Sequence, residues 1–127
     1  MDQATLVGLD IEAGRRILRY LDEASFKVSA AFWLFSSERQ DWRLWIATPL
    51  VDKAGKRDAY LRLGDILRTT EPELLIHPVV HLVSPKEKLI RSLRRIFGKT
   101  ASVEGMRLGN NLIDGTFIED AYVYRIR

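Results

Sequence analysis

The sequence predicts an α+β domain: about five strands in a mixed or antiparallel sheet, packed with three helices in the order α-β-β-α-β-α-β-β. Three observations predict it. Phe26–Thr48 alternates around a short polar loop, three stretches carry apolar residues at helical spacing, and the last quarter is rich in strand formers and turn pairs. At 127 residues the chain is long enough for one core and too short for two, so residues 1–127 are read as a single domain.

Before the alternating region, Asp10 fits a helix N-cap. Ile17, Leu18, Leu21 and Ala24 then recur on one side, giving a helix over about 11–24. In the hairpin that follows, Phe26, Val28, Ala30, Phe32 and Leu34 alternate with Lys27, Ser29, Ala31, Trp33 and Phe35. Trp42, Leu44, Ile46 and Thr48 alternate with Arg43, Trp45 and Ala47. Loop Ser36–Asp41 is polar, and Pro49 ends the second strand. Sorted this way, one face is wholly apolar and the other brings Trp33 and Trp45 together beside Arg43. Either helices cover that second face, or it is an aromatic patch for a partner.

Val51–Lys56 reads as a charged loop, followed by a helix over about 57–69 with Tyr60, Leu63 and Leu67 on its apolar side. A short strand at Val79–Val83 follows Pro78. His77 and His81, four residues apart, would share a strand face, and Pro78 between them argues against a helical metal-binding pair. Ser84-Pro85-Lys86-Glu87 has the form of a capping box opening a helix to Phe97, with Gly98 as the stop. Strands are expected near 103–108, 111–114, 116–118 and 121–126, with turns at Gly109-Asn110-Asn111 and Asp114-Gly115. In the last strand, Tyr122, Tyr124 and Ile126 should share a face.

Ile113–Arg125, IDGTFIEDAYVYR, resembles the C-terminal segment of a family of small bacterial proteins with no assigned activity. The resemblance covers that segment alone. It implies a bacterial, cytosolic origin and no mechanism.

Charge supplies the second functional lead. The chain carries +3 in all, yet Pro85–Lys99 holds six cations against Glu87 alone, leaving the remainder net −2. Lys88, Arg91, Arg94, Arg95 and Lys99 stand opposite the apolar side of that helix. Arg94 and Arg95 complement the negative helix end, but Lys86 and Lys88 sit near the positive one. The segment is thus read either as a solvated face or as an anion-binding one.

Catalytic signatures are missing. No phosphate loop, nucleophile elbow or dinucleotide fingerprint occurs, and no cysteine is present for thiolate chemistry or a cysteine-based metal site. Asp114, Glu119 and Asp120 form the sole acidic cluster, without the Glu-x-Lys that a restriction-type metal nuclease would place on the next strand. No cofactor, metal or membrane segment is expected, and a cytoplasmic setting is the default. Two function classes follow. The first is a non-enzymatic interaction module that binds a protein partner or a second copy through Trp33, Trp45 and Arg43. The second is a nucleic-acid-binding protein in which Lys88, Arg91, Arg94, Arg95 and Lys99 neutralise phosphates while Trp33 or Trp45 stacks bases.

Overall fold

A computed structural model describes residues 6–98 and 103–127; Lys99 lies outside the described residues. Five strands form one mixed sheet in the order β3-β2-β1-β5-β4: β1 Ala30–Ser36, β2 Asp41–Ala47, β3 Val80–Val83, β4 Met106–Ile113 and β5 Thr116–Ile126. The helices are α1 Gly8–Glu23, α2 Leu50–Ala54, α3 Lys56–Thr70 and α4 Lys88–Phe97, with a 3-10 turn at Pro72–Leu75. Ile17, Leu18 and Leu21 of α1 and Ala59, Leu63 and Leu67 of α3 pack on one face with Trp33, Leu44, Ile46 and Leu82. Leu89, Ile90 and Leu93 of α4 pack on the opposite face with Phe32, Ala121 and Val123. The α+β domain is therefore three-layered, with its central strand β1 buried on both sides. No described helix is long and apolar enough to cross a membrane.

The helix ends depart from the expected caps. Helix α1 begins at Gly8, and Asp10 sits inside its first turn, reaching back to the Val7 amide at 3.4 Å. Helix α4 begins at Lys88. Glu87 is its N-cap, accepting from the Leu89 amide, while Ser84 closes a preceding turn, accepting from Lys86 N and donating to Asp52. Serine thus caps the turn and glutamate the helix, because Pro85 and Lys86 are spent in turning the chain back over the sheet. Val51–Ala54, expected as loop, is helical within α2.

The strand faces depart from expectation in a way that matters for function. In the β1–β2 hairpin Trp33 lies opposite Leu44, and Phe32 opposite Trp45. Directly opposed residues share a face, so Trp33 joins Leu44 and Ile46 while Trp45 joins Phe32. The four-residue connection Ser37–Gln40 sets this register. Phe26 and Val28 precede β1 and pack with Trp33 instead of continuing the Phe32 face.

In β5 a bulge opposite Ala31–Phe32 inserts Tyr124. The alternation is reset: Ile126 packs with Val123, while Tyr122 and Tyr124 pack under α1. Gly109-Asn110-Asn111 is not a turn. Strand β4 runs through it with Asn110 at φ 52°. Asp114 and Gly115, at φ 46° and 84°, do make the two-residue hairpin turn, since both positions need positive φ.

Ion pairs tie the layers together at their rims. Arg125 clamps Asp22 at 2.7 and 3.0 Å, and Arg16 clamps Glu71 at 2.9 Å with Tyr20 donating to the same carboxylate. Hydrogen bonds from Arg125, from Arg16 and from Arg95 hold the carboxyls of Asp22, Glu71 and Asp114, respectively, below their ordinary range. A carboxyl whose folded pKa is depressed contributes stability above its unfolded pKa, near 4 for Asp and Glu, and loses it as pH falls through the folded value. The melting temperature is expected to drop as pH is taken from about 6 to about 3, and Asp22→Asn to flatten that slope. A calorimetric pH series on both proteins checks this; identical slopes would show that the Asp22–Arg125 pair does not couple to folding.

Candidate nucleic-acid interface

Helix α4 divides its circumference sharply. Leu89, Ile90 and Leu93 are buried against the sheet, and Phe97 packs partly on the same core. Ile96, the remaining large aliphatic residue of the helix, is 45% exposed. Lys88, Arg91 and Arg95 fall at positions i, i+3 and i+7, a spacing that lines them along one side of the helix. With Ser92 they line a cleft of about 310 Å³ closed by Asp114 of the β4–β5 turn.

Asp114 is committed within this cleft. It pairs with Arg95, and the Ser92 hydroxyl also donates to it. A single acid thus faces three cations. Lys88 and Arg91 form no ion pair among the described residues, and neither does Lys86. Arg94 turns away from the cleft, and its guanidinium donates to the Pro85 carbonyl at 3.4 Å. Like charges at this spacing oppose each other by roughly 0.2–0.5 kcal/mol per pair. Arg95 is offset by Asp114 and by the negative helix end, but Lys88 and Arg91 form no ion pair among the described residues.

The indoles separate. Trp33 is 1% exposed beneath α1, its Nε1 donating to the Tyr124 hydroxyl at 2.8 Å; that hydroxyl donates to the Ile11 carbonyl at 2.6 Å. Burial pushes the Tyr124 pKa upward, which keeps the phenol protonated as the donor this relay needs. The two-indole surface expected for a partner therefore does not form, and Trp33 is core. Trp45 stays half-buried on the α4 face with Arg43, stacked on Phe32 at 5.7 Å between ring centroids and meeting His81 edge-on at 4.6 Å.

The remaining candidate residues scatter. His77 precedes β3, and its Nε2 lies 2.9 Å from Asp10, pinning the β3 approach to the start of α1. Asp120 is held by Arg107 at 2.9 Å, whereas Asp114 is held by Arg95. Among the described residues no three metal-ligating side chains gather, so Asp114, Glu119 and Asp120 do not converge on an ion site.

The sequence reading missed His81 as the neighbour of Trp45. The parallel pairing of β2 with β3, which sets Trp45 beside His81, arises across the α2–α3 crossover. Such pairing leaves no local sequence signal.

Comparison with family models, curated proteins and solved structures returned no match.

Proposed function

We propose that this protein binds nucleic acid, using the outer side of α4 to neutralise backbone phosphates in a cytoplasmic setting. One observation carries the reading: Lys88 and Arg91, which form no ion pair among the described residues, are held in line with Arg95 on a helix whose inner side is already committed to the core. Neutralised phosphates release condensed counterions, so affinity should fall steeply with salt, by a slope of about one per phosphate contacted. No chemical step on the nucleic acid belongs to this reading.

Lys88→Ala/Arg91→Ala tests it at two exposed side chains, breaking no ion pair among the described residues and leaving the core closed. Binding of a labelled mixed-sequence oligonucleotide is followed by fluorescence anisotropy across a salt series. The variant is expected to bind at least tenfold more weakly, with its salt slope reduced by about two. Wild-type protein with no affinity at low salt would end the proposal. A variant with unchanged slope would move the phosphate contacts away from α4.

A further inference from the structure

Among the described residues, the only acid lining the α4 cleft comes from another element, the β4–β5 turn. Asp114 and Gly115 form that turn at positive φ, and Lys88 Nζ lies 4.0 Å from where a Cβ would stand on Gly115. The Asp114 carboxylate accepts from the Arg95 guanidinium and from the hydroxyl of Ser92, a residue only 6% exposed. Those two donors, Arg95 the more, lower its pKa and keep it charged at neutral pH.

Turn geometry does not ask for this charge. A two-residue turn with positive φ at both positions takes Asn-Gly as readily as Asp-Gly. What the carboxylate adds is an anion already in place. A guanidinium and a hydroxyl that hold a carboxylate are the same donors that would hold a phosphate, because both ligands present oxyanions to them. Arg95 and Ser92 are thus engaged within the protein, whereas Lys88 and Arg91 enter no ion pair among the described residues.

We propose that Asp114 is an internal competitor for phosphate in the α4 cleft: its carboxylate withholds Arg95 and Ser92 from a bound strand and so restrains the affinity of the site. This rests on the nucleic-acid reading above and adds to it how that site is regulated. Lys88 and Arg91 make the phosphate contacts while Asp114 holds Arg95. Removing the carboxylate charge lets Arg95 join them along the same side of the helix.

Asp114→Asn tests this, because the amide keeps the shape of the side chain and suits the turn. Anisotropy of the labelled mixed-sequence oligonucleotide is read across a salt series for four proteins: wild type, Asp114→Asn, Arg95→Ala and Asp114→Asn/Arg95→Ala. Asp114→Asn is expected to bind about fivefold more tightly, the upper range for one exposed charge pair, with its salt slope raised by about one. Arg95→Ala alone should leave the wild-type slope unchanged, and in its background Asp114→Asn should no longer raise it. One negative charge fewer, acting only through net charge, would raise affinity equally with and without Arg95.

No gain in affinity for Asp114→Asn, or an equal gain with Arg95 removed, would overturn the competitor and leave the α4 reading standing on Lys88 and Arg91. So would a lowered slope for Arg95→Ala in the otherwise wild-type protein, an arm that leaves the turn untouched. No binding by wild-type protein at low salt would overturn both.

Discussion

Trp33→Ala is expected to lower the unfolding free energy by about 3–5 kcal/mol, the range found when a large aromatic is deleted from a packed core. The indole is 1% exposed on the central strand, wedged between β1 and α1, so little of the surrounding structure can collapse into the space it leaves. The deletion also strips the Tyr124 hydroxyl of its incoming hydrogen bond, although that hydroxyl keeps Ile11 as acceptor. Trp33→Phe separates the two contributions. It keeps a ring in place and should lose less than the alanine variant, by an amount set mainly by the smaller volume. Urea denaturation at neutral pH measures both, with the slope unchanged if only the folded state is affected. A loss below about 1 kcal/mol for Trp33→Ala would mean that the indole is not packed as described.

Gly14→Ala should also destabilise, against the usual sign. In a helix interior alanine is favoured over glycine by about 1 kcal/mol. Here a Cβ at position 14 would press on the Tyr124 hydroxyl, lie 2.9 Å from the Tyr124 ring carbon that bears it, and lie 3.1 Å from Trp33 Nε1. Overpacking at such a site costs roughly 1–3 kcal/mol, and displacing Tyr124 breaks the relay from Trp33 to Ile11 as well. A net loss of about 2 kcal/mol is expected. Tyr124→Phe supplies the check. Without the hydroxyl the new methyl group has less to strike, so Gly14→Ala should cost less in that background, a coupling of about 1 kcal/mol or more. Strict additivity would show that the glycine is not there to admit the tyrosine.

The two variants probe one feature from its two sides, and that feature explains why the indoles have such different fates. Strand β5 carries a bulge at Tyr124, which swings that side chain under α1 beside Tyr122. The Trp33 nitrogen then has a buried partner, and the ring is closed off as core. Trp45, one strand over and on the reverse face, has no comparable hydrogen bond among the described residues and stays half-buried.

Much of the fold was legible locally. The helical spacing of Ile17, Leu18 and Leu21, the alternation through Phe26–Thr48 and the Asp114-Gly115 pair each name an element through its own period or turn chemistry. The charge asymmetry of Pro85–Lys99 was equally plain, because a run of like charges is a property of composition. The sequence by itself therefore determined the order of elements, the amphipathic basic helix and the hairpin turn. Which residues share a face was decided only by tertiary structure. Strand parity depends on register, and register here depends on a four-residue connection between β1 and β2 and on a bulge set by pairing β5 with β1. A shift of one residue turns every side chain to the other side, so Trp33 and Trp45, alike in the alternating pattern, end on opposite faces of the sheet. The company Trp45 keeps was settled the same way, since His81 reaches it through parallel pairing across the intervening α2–α3 crossover, an arrangement that local sequence does not encode.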